Sequence, residues 1–398
     1  GLPALGADTA LQPLVRLTAK DDQPMIDAAQ TGLLQLDDPA AVADAAAAAL
    51  PQASTAGKIA LLDVLAVRGT YKHVSAALAQ AEHAERQVRT AALRTAAALA
   101  APQHLQPLLE LLKKASATAD RKAVRTALAS LARRAPQTIP VLAESAAAAD
   151  AQTTGEILQV LAAVGGKQAL TPLLTYVNAD DRQKREAGIR ALAQWQTAEA
   201  APHLLKVART ADLPIVLRVL AWRTYVDLAA KTGPGNPAKA VEMARNALET
   251  APMPAEKKRV AGALGSIRHD RALELAASLL ETEDLRTEAA AAILKIVAPE
   301  KKEADPMRTA PAFRALSAVV AALPNTPEAR RAQEYLARIP PPAGGNLAAG
   351  QPVKTTVPQE RDKNPEKAVD GNTEKNSSWW GERWPATLEV DLGETTYV

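Results

Sequence analysis

Apolar residues along most of this chain recur three and four positions apart, the spacing that puts them on one face of a helix. Two kinds of segment alternate. One opens with a proline and runs on in leucines: LQPLLELL around Pro107, TIPVLAES around Pro140, LTPLLTYV around Pro172 and AAPHLLKV around Pro202. Proline suits the first turn of a helix, where its missing N–H costs nothing, so each of these predicts a helix start. The prolines stand 33, 32 and 30 residues apart.

The second kind of segment is built on alanine. It reads VRTAAL over Val88–Leu93 and VRTALA over Val124–Ala129, then REAGIRAL from Arg185, LRVLAWRTYV from Leu217, KRVAGALGSI from Lys258 and RTEAAAAIL from Arg286. Small and apolar residues share one face, with Arg or Lys opposite. Leu-rich and Ala-rich helices alternating with a period near 30 residues predict helical hairpins stacked side by side, with alanine where neighbours approach closely. Turns fall between them, at Pro102, Gly165-Gly166 and Pro324. TGPGNP, Thr232 to Pro237, stretches its repeat to about 40 residues and predicts a longer projecting loop.

These pairs, beginning with Gln103–Ala115 and Asp120–Ala132, resemble HEAT repeats, including the variant named after phycobilisome lyases. Leu213–Pro299 looks most like HEAT arrays of secreted, multi-domain bacterial proteins. The resemblance spans roughly residues 20–338. It implies a mostly α chain, an α-solenoid of HEAT-like hairpins over 1–338, that binds a protein partner or positions other domains. Such motifs specify fold far better than function.

The pattern changes after Ile339. PPPAGGN, Pro340 to Asn346, cannot be helical and marks a linker over 339–350. Beyond it, Thr387–Leu392 alternates polar and apolar residues as a strand with one buried face does. Three of the five tryptophans, Trp379, Trp380 and Trp384, lie here. NPEKAVDGNTEKNSSWWGERWPATLEVDLG, Asn364 to Gly393, resembles the opening of a discoidin domain, the coagulation factor five/eight type C fold shared by carbohydrate-binding family thirty-two. The turn at AVDGN, the Trp after it and the closing VDLG carry the resemblance. It implies a partial β-sandwich over 351–398, a discoidin-like jelly roll whose remaining strands would follow in a longer protein.

The same resemblance implies a structural calcium held by the Lys367 carbonyl, Asp370, Asn372 and Ser377, hard oxygen donors of the kind calcium takes. Ser377 stands where the family often has Thr, and two extra residues precede it. Trp379 would fill the sandwich core. Trp380, Arg383 and Trp384 would contact glycan, a ring stacking on indole while guanidinium holds hydroxyls.

Composition supports the helical reading. Hydrophobic residues make up 47% of the 398, yet only 3% are aromatic, and alanine and leucine lead the helix-propensity scale. Absence of cysteine removes disulfides, thiolate zinc sites and Cys nucleophiles. A net charge of +3, from 47 basic and 44 acidic residues, gives no overall footprint for nucleic acid. No apolar run reaches the length of a membrane span. The chain opens at Gly1, which reads as a processed product.

No catalytic constellation emerges. His104 and His203 sit near the starts of Leu-rich helices, three repeats apart, and read as repeat architecture; His73, His83 and His269 read as surface residues. Glu281, Glu283 and Asp284 fit the chemistry of a helix start. Gly233-Pro234-Gly235 lacks the order of a phosphate loop. Trp195, Trp222 and Tyr225 read as core filling of helices in adjacent repeats, against a binding stripe. The expectation is therefore a non-catalytic, exported bacterial scaffold with a glycan-binding tail. The alternatives are an ancillary region of a larger exported carbohydrate-active or redox enzyme, and a bilin-lyase-like enzyme, for which no clustered polar pocket is visible.

Overall fold

In the computed structural model, residues 7–298, 306–339, 353–355 and 388–390 are described. The chain divides into two compact units, residues 1–228 and 229–398. Among the described residues are twenty α-helices, numbered in chain order. They are α1 Ala7–Leu17, α2 Gln23–Gln35, α3 Pro39–Ala49, α4 Thr55–Arg68, α5 Val74–Leu78, α6 Arg86–Leu99, α7 Leu105–Lys114, α8 Thr118–Arg134, α9 Ile139–Ala148 and α10 Ala151–Val164. There follow α11 Gly166–Val177, α12 Arg182–Leu192, α13 Ala201–Arg209, α14 Ile215–Thr232, α15 Pro237–Glu249, α16 Lys257–Leu264, α17 Asp270–Ser278, α18 Arg286–Val297, α19 Ala310–Ala322 and α20 Pro327–Leu336.

Within the first unit the even-numbered helices form a row: α2, α4, α6, α8, α10 and α12 each pack on the next. The odd-numbered helices from α1 to α11 each pair mainly with an even neighbour, and α9 touches α11 only sparsely. Side-chain size explains the difference. The Leu-rich helix α7 buries Leu105, Leu108, Leu109 and Leu112, whereas α8 buries Ala127, Ala129 and Ala132 among larger residues. Alanine lets the even helices close up. Burying each leucine contributes about 1.5–3 kcal/mol. In the second unit, α15 with α16, α17 with α18 and α19 with α20 make the same kind of pairs.

Polar residues start many of these helices. Asp150 accepts from the Thr153 N–H at 2.9 Å, Asp181 from Lys184 at 2.8 Å and Ser54 from Gly57 at 3.1 Å. Each satisfies a donor left orphaned at a helix N-terminus. Between α10 and α11 the whole connection is Gly165, with φ 74°, followed by Gly166 at 77°; side chains rarely tolerate this left-handed backbone, so the shortest turn needs its glycines.

Three of the four register prolines stand in a first helical turn: Pro107 in α7, Pro140 in α9 and Pro202 in α13. Pro172 does not. It lies inside α11, because that helix starts earlier, at Gly166. TGPGNP makes no projecting loop; only Gly233–Asn236 separate α14 from α15. The longer repeat comes from longer helices, 18 and 13 residues.

The strand predicted near Thr387–Leu392 appears at β2, Leu388–Val390, which pairs antiparallel with β1, Val353–Thr355. The linker Pro340–Asn346 lies outside the described residues, and so do the remaining strands that the discoidin resemblance implies.

Candidate protein-interaction surface

The row of even helices is held by a repeated arginine device. Arg89, in the first turn of α6, donates through Nη1 to the carbonyls of His83 and Ala84 at 2.9 and 2.7 Å. Its Nε and Nη2 each lie 3.0 Å from Asp120 Oδ2 on α8. Arg121 reaches the Ala115 carbonyl at 3.3 Å, Arg185 that of Ala179 at 2.7 Å, and Arg286 that of Leu280 at 3.0 Å. In all four the arginine bonds a carbonyl six residues earlier, in the turn leading into its own helix. The guanidinium fork satisfies a turn carbonyl that no helix bond serves.

The same helices are joined across repeats. Arg94 of α6 pairs with Asp63 of α4, and Arg125 of α8 with Glu156 of α10. Arg121 also approaches Glu156, at 3.4 Å. The buried Thr95 hydroxyl lies 2.8 Å from the Leu62 carbonyl on α4 and 3.0 Å from the Ala91 carbonyl of its own helix, and its one proton is shared between them. These bonds lock adjacent even helices in register.

Histidine enters the architecture twice. His73 and His104 are both buried, and each ring Nδ1 accepts a backbone N–H three residues earlier, from Thr70 at 3.0 Å and Ala101 at 3.1 Å. They are equivalent residues of consecutive repeats, so His73 is not a surface residue. Its Nε2 bonds Asp44 at 2.8 Å, which places the proton on Nε2. His104 has its counterpart in His73 rather than in His203. Trp195, Trp222 and Tyr225 are buried, as expected of core residues, though Trp195 sits in the turn after α12.

Clefts of the first unit open at the hairpin turns. One is lined by Arg185, His203, Lys206 and Leu213, another by Glu82, Lys114 and Asp120. A more apolar one, about 590 Å³, lies between the start of α9, at Ile139 and Pro140, and the middle of α11, at Pro172. Among the described residues no three His, Cys, Asp or Glu side chains are grouped as metal ligands would be. Among the described residues no helix is long and apolar enough to cross a membrane. The Asp150 carboxyl is held below its ordinary value, first by the Thr153 N–H and then by the Thr153 hydroxyl. Burial raises the Tyr176 phenol.

The calcium ligands expected at Lys367, Asp370, Asn372 and Ser377, and the glycan contacts expected at Trp380, Arg383 and Trp384, all lie outside the described residues.

No family model matches the chain, and no curated protein matches it. Among solved structures, the karyopherin Kap121p bound to the extreme C-terminus of the protein phosphatase Cdc14p is similar over 91% of this chain and 46% of that one, at 11% identity and a TM-score of 0.50. Kap95p, in a structure with RanGDP, is similar over 82% of this chain and 47% of its own, at 14% identity and a TM-score of 0.40. Human deoxyhypusine hydroxylase matches over 69% of this chain and 98% of its own, at 16% identity and a TM-score of 0.28. The chain spans about half the length of the karyopherins it matches. The likeness to Kap121p, together with the paired helices above, shows the fold: a solenoid of helical repeats.

Proposed function

We propose that this chain is a scaffold that holds a protein partner along the even-numbered helices of its repeats. The observation that carries this reading is the row from α4 to α12. Its inner face is closed by alanine packing and inter-repeat bonds, while Thr90, Arg94, Thr126 and Arg133 stand exposed on its outer face. Repeat rows of this kind offer long, nearly rigid surfaces assembled from many small contributions. The Kap121p structure, which holds a segment of another protein on a similar fold, supports the idea. The test is affinity purification of the full chain from its source with quantitation of what accompanies it. A polypeptide retained in near-stoichiometric amount is expected; its consistent absence across growth conditions would overturn the proposal.

A second reading concerns the tail. The antiparallel pairing of Val353–Thr355 with Leu388–Val390 supports β structure in this part of the chain. The discoidin resemblance suggests that this module takes glycan through Trp380, Arg383 and Trp384, around a calcium held by Lys367, Asp370, Asn372 and Ser377, in an exported bacterial protein. Calorimetric titration with calcium tests it: heat of binding that disappears in Asp370→Ala is expected, and a calcium-indifferent chain would remove the metal.

A further inference from the structure

The outer face of α6 and α8 carries charge of mainly one sign. Read as RQVRTAALRTAAAL and TADRKAVRTALASLARR, the two helices hold eight Lys or Arg residues and one acidic residue, Asp120. The first helices of the same region, α7 and α9, are balanced, with Glu110 and Glu144 against Lys113 and Lys114. The whole chain is only +3. The excess is therefore local to one face.

Several of the eight are committed to structure. Arg89, Arg121 and Arg125 serve Asp120 and Glu156, and Arg134 donates to the carbonyls of Ala97 and Ala100 at 2.8 and 3.0 Å. Arg86 and Lys122 are not: both are exposed, and their side chains pair with no other group among the described residues. Each stands two positions before a buried valine, Val88 or Val124, so they occupy the same place in consecutive repeats. Arg94 keeps a side chain 57% exposed beside Asp63, and Arg133 keeps its charge in solvent while bonding the Ala163 carbonyl.

Helical spacing lines up Arg86, Thr90 and Arg94 on one stripe and Lys122, Thr126 and Arg133 on the other. The two helices pack side by side, so the stripes run about 8–10 Å apart. Exposed threonines, Thr90 and Thr126, separate the cations along each stripe. Acidic groups mark its edges, Asp63 on α4 and Glu156 on α10, each already bonded to arginine. Neither helix contains an aromatic residue, so there is no platform on which bases of a single strand could stack.

We infer that the outer face of α6 and α8 is a docking site for an acidic polypeptide segment, whose Asp and Glu side chains meet Arg86, Arg94, Lys122 and Arg133. This deepens the scaffold reading and rests on it. Long-range attraction would speed encounter and weaken as salt rises.

The experiment titrates the full chain into a labelled poly-glutamate peptide and follows anisotropy. Saturable binding that falls with ionic strength is expected, at least about tenfold weaker in Arg86→Glu/Lys122→Glu. Both positions are exposed, and an unchanged circular dichroism spectrum confirms that the variant is folded. Lys113→Glu/Lys114→Glu, on α7, should stay within about twofold of wild type. Equal binding by wild type and the Arg86/Lys122 variant overturns the inference. Tighter binding of oligothymidylate than of poly-glutamate also overturns it, reassigning the face to nucleic acid. A polypeptide that co-purifies equally with wild type and with Arg86→Glu/Lys122→Glu sinks the inference and leaves the scaffold reading standing. Failure of any polypeptide to co-purify removes the scaffold reading itself.

Discussion

Arg89 on one repeat and Asp120 on the next meet through two nitrogens, each 3.0 Å from the same carboxylate oxygen, with about four-fifths of both side chains out of solvent. The same guanidinium bonds two turn carbonyls of its own hairpin. One residue thus fixes a turn within a repeat and the packing between repeats.

Losing either partner of this contact should destabilise the chain by about 1.5–3 kcal/mol, the range for hydrogen bonds to charged groups. Arg89→Ala, Asp120→Ala and the double variant, compared by urea unfolding, give the coupling directly. Additive effects of the two single changes would show that the pair contributes nothing as a pair.

Leu108 in α7 and Leu173 in α11 are fully buried. Leu108→Ala and Leu173→Ala should each cost about 2–5 kcal/mol. Because each repeat touches only its neighbours, unfolding followed by different probes should lose coincidence in these variants. Melting curves that match wild type would place these leucines outside the core.

Two helical glycines should respond with opposite sign. A Cβ on Gly188 of α12 would lie 2.6 Å from backbone atoms of Tyr176 and Val177, so α12 sits against the end of α11 only because no side chain intervenes. Gly188→Ala should destabilise by about 1–3 kcal/mol. Gly262 of α16 faces open space, and Gly262→Ala should stabilise by about 0.4–1 kcal/mol. Thermal unfolding of the two variants decides; a Gly188→Ala variant as stable as wild type would contradict the close approach, and a destabilised Gly262→Ala would contradict the open space.

Asp150 supplies a pH dependence. Its carboxyl is held below the ordinary 3.8 by the Thr153 N–H and hydroxyl, so its capping contribution is present above 3.8 and is lost as pH falls through the lower folded value. The stability difference between wild type and Asp150→Ala should be constant near neutrality and shrink in that acidic window. Asp150→Ser, an uncharged cap, should lack the acid-dependent part. Denaturant unfolding over a pH series measures this, and a gap that persists unchanged into acid would contradict it.

Helix type and pairing were legible in the sequence because they depend on local spacing: leucines facing a core, alanines where helices close up, a proline at a start. Pro172 misled because a helix that begins at Gly166 can absorb one missing N–H a turn and a half later, a possibility that spacing of prolines cannot exclude. TGPGNP misled because glycine and proline mark a turn without marking its length. The arginine ladder escaped notice although its parts were in view. Arg89 and Arg125 both follow the valine of VRT, but their partners lie 31 residues away on another helix, and that pairing exists only once repeats stack. His73 escaped for a related reason, since a ring nitrogen capping a backbone N–H resembles any other histidine in one dimension.

The most direct test of the scaffold account is hydrogen–deuterium exchange of the full chain with and without the polypeptide that co-purifies with it. The account predicts added protection along α6, α8 and α10, with α7 and α9 unchanged. Protection confined to α7 and α9, or absent from the helices altogether, would contradict it.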